Sequence, residues 1–302
     1  MRIARDLASV QLSSDAHVAV GVFDGVHCGH QRLIGQMVAT AHASGKLALI
    51  YTFDPHPLAA LGGQPPPLLT TVEERAEVMA ALGLDALVAP PFTPEVARIR
   101  AADFARALVE QLRMVELWAG PDFALGYQRE GTIPVLQRLG RELGFTVRVV
   151  EPLMCGGEWV NSSRVRAALA AGDLRWATQC LGRPYRLSGV AQPGGSLERA
   201  LGWPAFLLSV PAGRLVPLAG VYAGRVSAAE RGPAPALVWI PAQGDTTGAT
   251  EAPIIEVYPL ERRSGLDGAA VALDFTAYLR REFVAGDAEA ILAEVRAQAE
   301  RD

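Results

Sequence analysis

Lysine is almost absent from this chain. Of the 28 basic residues among 302, only Lys46 is a lysine, and all five histidines (His17, His27, His30, His42 and His56) fall within the first 56 positions. A phosphate loop of the Gly-x-x-x-x-Gly-Lys-Ser/Thr type would have to use Lys46, whose surroundings, Ala43-Ser44-Gly45-Lys46-Leu47, do not fit. Histidine chemistry must come from the N-terminal part. Cysteine is scarce too: Cys28, Cys155 and Cys180 are too few and too scattered for a disulfide framework or a zinc cluster. There is no excess of positive charge. The formal net charge of −4 argues against non-specific nucleic-acid binding, which needs a basic face to displace phosphate counterions. No run of uncharged apolar residues is long enough to span a bilayer, and Met1-Arg2-Ile3-Ala4-Arg5-Asp6 lacks the apolar core of a signal peptide. A cytoplasmic enzyme or binding protein is what these absences leave.

What is present is an ordinary globular composition, 50% apolar and 20% charged, long enough for two domains with their own cores. The first half alternates strand-length apolar runs with helical patterns. The runs are about His17 to Phe23, Leu47 to Phe53, Ala86 to Phe92, Val115 to Ala119 and Phe145 to Val150, continuous as strands buried on both faces should be. Helices are expected over Gly29 to Ala43, after the capping box Thr71-Val72-Glu73-Glu74, after Thr93-Pro94, and over Val135 to Leu143. This order predicts an α/β, doubly wound parallel (Rossmann-like) sheet. Two short helical units follow, Arg164 to Ala171 and Leu174 to Leu181, each closed by a glycine (Gly172, Gly182). From about Leu187 to Asp274 short apolar runs broken by Gly and Pro predict a small β-barrel or sandwich, and about Ala277 to Ala299 returns to a helical period. The domain boundary is expected near Arg183-Pro184-Tyr185, dividing the chain into 1–185 and 186–302.

The segment Gly21-Val22-Phe23-Asp24-Gly25-Val26-His27-Cys28-Gly29-His30 runs from the end of the first apolar strand into a helix. Backbone N–H groups and the macrodipole favour an anion there. Gly29 lets a ligand come close to the backbone, and the two histidines, three apart, can both reach a phosphate. A metal would need a third ligand that the local spacing does not supply. In Val160-Asn161-Ser162-Ser163-Arg164-Val165-Arg166 a serine (Ser162 or Ser163) is a natural N-cap, and Arg164 and Arg166 fall in the first turn. Cations oppose the helix dipole at that end, a cost that a docked phosphate offsets. Phe53-Asp54-Pro55-His56-Pro57 and Gly120-Pro121-Asp122-Phe123 follow two further strands, at the carboxyl ends where open parallel sheets bind ligands.

With these residues assembled, the chain resembles the bacterial FAD synthetases, which join an FMN adenylyltransferase module to a riboflavin kinase module. The resemblance is strong through Gly21 to His30, Thr52 to Pro57, Gly120 to Gly131 and Val160 to Arg166, and continues through Leu181-Gly182-Arg183-Pro184-Tyr185. It implies transfer of AMP from ATP to FMN, giving FAD and pyrophosphate by direct in-line attack. His27, His30 and Arg166 would be the catalytic residues. Gly21, Phe23, Asp24, Gly25, Asp122, Ser162, Ser163 and Arg164 would bind the nucleotide, and Phe53, His56, Pro57 and Phe123 the flavin. Magnesium would arrive with ATP, with no metal site of the protein's own. The expected partners are the small-molecule substrates ATP and FMN, with no nucleic acid and no membrane.

The second module departs from the family. Gly202-Trp203-Pro204-Ala205-Phe206-Leu207 stands where the family kinase has Gly-Phe-Pro-Thr-Ala-Asn, so Ala205 and Leu207 replace the pair that holds magnesium and phosphate. The family's acidic base corresponds to Glu256, and Gly220-Val221-Tyr222-Ala223 also matches. The expectation is a kinase-like barrel without riboflavin kinase activity. Leu125 replaces a usual aromatic, Val22 a usual polar residue, and Asn161-Ser162-Ser163 a Ser-Ser-Thr. Two other readings are a non-catalytic flavin- or nucleotide-binding regulator and a nucleotidyltransferase for another phosphate ester.

Overall fold

A computed structural model describes the chain except residues 8, 11, 197–203, 229–230, 243–252, 262–265, 284–287 and 301–302. It divides into two compact units, one of Met1–Pro66 with Thr70–Asn161, the other of Pro67–Leu69 with Ser162–Asp302. The expected boundary at 185 and this division assign the segment 162–185 differently.

The first unit is built on a parallel six-stranded sheet. Its strands are β1 (Arg2–Ala4), β2 (Ala16–Val20), β3 (Leu47–Tyr51), β4 (Ala86–Val88), β5 (Met114–Ala119) and, after a small β6 (Ala124–Leu125) and β7 (Gly131–Thr132) pair, β8 (Thr146–Val149). Their order is β1-β4-β3-β2-β5-β8. The chain therefore builds outward from β2 on one side, then returns to add β5 and β8 on the other. The crevice beyond the carboxyl ends of β2 and β5 is the topological switch point.

Successive strand residues point to opposite faces, and both faces are covered. Val18, Val20, Leu49 and Leu117 pack with α5 (Ala101–Leu112) and α6 (Ile133–Leu143). Ala19, Ala48, Ile50 and Trp118 pack with α1 (Cys28–Ala43) and α3 (Val72–Ala81). The capping box at Thr71 and Glu74 is formed. Two single-turn helices, α2 (Pro57–Ala60) and α4 (Pro94–Ala97), each carry proline in the first turn; the helix expected from Thr93-Pro94 is thus one turn, and α5 opens separately at Ala101. The edge strand β1 was not visible as a pattern because it is three residues long and partners only β4.

In the second unit the helix pair α7 (Ser162–Ala170) and α8 (Leu174–Leu181) precedes a closed antiparallel barrel. After the β9 (Met154–Cys155) and β10 (Glu158–Trp159) ribbon of the first unit, the barrel strands are β11 (Tyr185–Pro193), β12 (Phe206–Ser209), β13 (Gly220–Ala228), β14 (Arg231–Ile240), β15 (Glu256–Pro259) and β16 (Ala270–Arg280). The helix α9 (Ala288–Ala299) lays Ile291 and Val295 against Val221, Ala223, Leu237 and Tyr258. The helical period expected from Ala277 is corrected: β16 runs to Arg280, because Ala277 and Tyr278 pair with β13 and the Tyr278 ring packs edge-on against Tyr222 at 5.1 Å. Pairing with strands distant in sequence overrides the local period. Gly202 and Trp203 lie outside the described residues.

Candidate active site

The loop between β2 and α1 is strained and tightly held. Phe23 (φ 52°), Gly25 (φ 80°) and Val26 (φ 39°) all adopt left-handed backbone, which only Gly25 does at no steric cost. Such conformations persist when the surroundings over-determine them. Asp24, 2% exposed, accepts from the backbone N–H and the hydroxyl of Thr70, both at 3.0 Å. The Thr70 hydroxyl in turn accepts from the Gly25 N–H at 2.8 Å. The buried Arg75 guanidinium donates to the Val22 carbonyl and, at 3.0 Å, to the Thr52 hydroxyl. Asp24 is thus a brace for the loop rather than a free carboxylate. Thr70 and Arg75, about fifty residues further along, are functional neighbours that no local sequence signal marks.

The loop ends at His27, which is the N-cap of α1 rather than a helical residue, and its Nδ1 accepts from the His30 N–H at 3.3 Å. An accepting Nδ1 leaves the ring hydrogen of a neutral His27 on Nε2. The two imidazoles stack with centroids 3.6 Å apart. A Cβ on Gly29 would sit 3.2 Å from the His27 ring, so glycine there is what lets His27 fold over the helix start. The His30 Nδ1 is buried and has no hydrogen-bond partner. Burial first, then the neighbouring His27 and Arg75, hold the His30 pKa well below the ordinary imidazole value. The first turn of α1 carries no acidic residue. An imidazole with an unsatisfied ring nitrogen, at a helix start with no acidic residue in its first turn, is suited to receive an anion.

Beside it, a cavity of about 660 Å³ opens from Gly21 and Val22. Its volume falls in the range of small-molecule sites. Phe53, His56, Pro57 and Phe123, the residues expected to contact flavin, all line it, together with Phe92, Phe104 and Arg98, which the sequence did not single out. Phe53 meets Phe92 edge-on at 4.9 Å, making an aromatic wall. Leu125, the non-aromatic substitute, is buried in the same lining. The wall at Tyr127 to Arg129 is fixed from behind: Tyr127 N–H donates to Ile99 O at 2.8 Å, and the Glu130 carboxylate accepts from the Ala101 N–H and from Arg100. Asp122 is exposed in the turn after β5, closed by Phe123 N–H to Gly120 O at 3.2 Å.

In the second unit, α7 starts at Ser162, so the cap position belongs to Asn161 and not to either serine. Arg166, the fifth helical residue, lies beyond the first turn. Arg164 is its third residue, and the Arg166 Nε donates to Pro67 O at 2.7 Å. On the barrel, Glu256 is buried and one of its oxygens accepts from Ser196 N–H (2.9 Å), the Ser196 hydroxyl (3.2 Å) and the Tyr258 hydroxyl. Leu207 pairs with Glu256 across the β12–β15 ladder.

An open parallel sheet with an anion-receptive helix start at its switch point, followed by a closed antiparallel barrel, defines a two-unit nucleotide-handling protein. Residues 9–164 match the FAD synthetase family and residues 181–301 the riboflavin kinase family. The bifunctional riboflavin kinase/FMN adenylyltransferase of Escherichia coli K12 is 31% identical over 288 residues, covering 94% of this chain and 90% of that protein. The protein of the same name from Pseudomonas fluorescens is 34% identical over 224 residues, 74% of this chain and 72% of its own length. A solved Streptococcus pneumoniae structure described as a macrolide-efflux protein shares the fold, with TM-score 0.85 at 22% identity over 99% of this chain and 97% of that one. The chain belongs to the bacterial FAD synthetase family, with both a FAD synthetase and a riboflavin kinase domain. No helix among the described residues is long and apolar enough to cross a membrane.

Proposed function

We propose that the first unit transfers AMP from ATP to the phosphate of FMN, releasing pyrophosphate and forming FAD. The observation that carries this reading is the unsatisfied His30 Nδ1, stacked on His27 at the α1 start, next to an apolar cavity that begins at Gly21. The FMN phosphate oxygen attacks the α-phosphorus, the bond to the β-phosphate oxygen breaks, and pyrophosphate leaves. No covalent enzyme intermediate is needed, so the protein's work is positioning and charge stabilisation. His27 and His30 donate to phosphate oxygens as charge develops on them. Arg166, with Ser162, Ser163 and Arg164, holds the departing pyrophosphate. Gly21, Phe23 and Gly25 shape the nucleotide cleft, Asp24 fixes that shape, and Asp122 lies by the adenosine. Phe53, His56, Pro57 and Phe123 take the isoalloxazine. Magnesium comes as the ATP complex, coordinated by phosphate oxygens and water; among the described residues no three His, Cys, Asp or Glu cluster to hold one independently.

The second unit, in this reading, does not phosphorylate riboflavin. Ala205 and Leu207 offer no side-chain oxygen to a metal or phosphate, and the Glu256 carboxylate is engaged by Ser196 and Tyr258. The chemistry of the donor set does not fit magnesium there. Incubating the full chain with ATP, magnesium and FMN, and separately with riboflavin, tests both statements by chromatography of the flavins and release of pyrophosphate. FAD from FMN and no FMN from riboflavin is the expected result. Binding of FMN without turnover favours a non-catalytic regulator, and pyrophosphate release only with another phosphate ester favours a different acceptor.

A further inference from the structure

The Val22 carbonyl is held from two sides. The Thr52 hydroxyl, just past the end of β3, donates to it at 3.1 Å, and the Arg75 guanidinium on α3 donates to it as well. The same Arg75 Nη1 donates to the Thr52 hydroxyl at 3.0 Å, so the three groups close a triangle in which both lone pairs of the carbonyl are used. Each side is itself anchored. Thr52 is fully buried, and its N–H donates to Val88 O on β4 at 2.8 Å. Arg75 is 3% exposed, and its Nε donates to Thr71 O at 3.3 Å at the start of its own helix.

The Val22 carbonyl and the Phe23 nitrogen belong to one planar peptide. Fixing the oxygen therefore fixes the plane from which Phe23 turns into its left-handed φ of 52°, which a residue with a side chain keeps only when its surroundings hold it there. Phe23 carries that constraint to the histidines. Its buried ring meets the His30 ring edge-on at 5.0 Å and would lie 3.1 Å from a Cβ on Gly21. The Phe23 carbonyl accepts from Val26 N–H at 3.0 Å, one residue before the His27 cap. The path from α3 to the imidazole thus runs through the Val22 peptide and Phe23, and every member belongs to the first unit. The Arg75 charge also acts on the ring directly, adding to burial and His27 in lowering the His30 pKa.

We propose that Arg75 is a positioning residue for adenylyl transfer, setting through the Val22 peptide and Phe23 where the His30 imidazole stands for the ATP phosphates. The kinetic half of this proposal rests on the adenylyl-transfer reading; the conformational half does not.

The test uses the full chain. In Arg75→Met, which keeps an apolar stem and removes the donors, hydrogen exchange of the 22–27 segment is expected to quicken by about fivefold or more, with exchange in α5 unchanged. The His30 imidazole, followed by NMR without ligand and assigned by its absence from His30→Ala, should titrate at higher pH than in the unaltered chain. FAD formation is expected to fall about tenfold in kcat with the KM for FMN unmoved, the size of effect a small misplacement of reacting groups produces. Arg75→Lys keeps the charge but not the planar fork that serves Val22, Thr52 and Thr71 together, so it should restore the low His30 titration and only part of kcat. Thr52→Val removes the other hold on the same carbonyl, and its loss should not multiply with that of Arg75→Met; losses that multiply would mean independent effects and overturn the proposal. A fall in kcat with the 22–27 exchange and the His30 titration both unaltered also overturns it. Should the unaltered chain make no FAD, the functional reading falls while exchange and titration still decide the link. Should Arg75→Met not fold, Arg75→Lys and Thr52→Val carry the same comparison.

Discussion

The loop at His27 and His30 and the pocket of Glu256 are both places where a polar side chain is buried, and they are finished differently. At the first, the chain spends backbone strain and two braces, Asp24–Thr70 and Arg75–Val22, to present an imidazole nitrogen that it leaves without a partner. At the second, one carboxylate oxygen collects three donors from its own chain, and Ala205 and Leu207 stand where oxygen would be needed. A buried polar atom left unmade costs of the order of 1–3 kcal/mol, and a native site tolerates that where a ligand completes it. Self-satisfaction marks a residue kept for structure. Under the proposed function, the first is the reacting site and the second is not.

The comparison can be broken most sharply at His30. His30→Ala should lower turnover to FAD by roughly 10²–10³, the loss seen when one donor to developing charge is removed. Steady-state rates near those of the unaltered protein would end the catalytic assignment. Glu256→Gln tests the other side: it weakens bonds from Ser196 and Tyr258, so it should cost about 1–3 kcal/mol of unfolding free energy, read from the denaturant midpoint. A variant as stable as its parent would show that the three contacts are incidental.

Acidification separates the two regions again. His30 and the buried His17 both have lowered pKa values, His30 from burial, His27 and Arg75, His17 from burial against the opposing pull of Glu116. The folded state therefore refuses protons that the unfolded chain accepts, and stability should fall as pH drops below about 6.5, the ordinary imidazole value. Melting temperatures between pH 8 and 5 check this. ATP phosphates would favour the charged ring and flatten the His30 share, whereas no ligand at the barrel should do so. The smallest effect is expected at His42, exposed and paired with Asp85 at 2.9 Å: His42→Ala should shift stability by no more than about 1 kcal/mol and leave turnover unchanged.

The parallel sheet was legible because its strands are continuous apolar runs between helices with their own start and stop residues. The capping box at Thr71 and the glycine ends of α7 and α8 were legible for the same local reason. His27, His30 and the cavity residues Phe53, His56, Pro57 and Phe123 lie in short segments with turn chemistry, and the structure brings the four cavity residues together. What sequence could not reveal depends on partners far away in the chain. Arg75 matters through Val22, Phe92 through Phe53, and Ala277 to Arg280 is strand only because β13 and β11 leave a gap that β16 fills.

The walls of the cavity differ in firmness, and under the proposed function this bears on how a flavin enters. The side at Tyr127 to Arg129 is clamped through Glu130 to the start of α5. The facing pieces are α2 and α4, single turns with no buried residue, far shorter than a helix that holds itself together in water. If the cavity takes FMN as proposed, these short turns are the side expected to yield on entry, and the Tyr127 to Arg129 side the one expected to hold the ring. Arrival and departure rates should thus respond to proline content and packing of those two turns, independently of the affinity that the hard side confers.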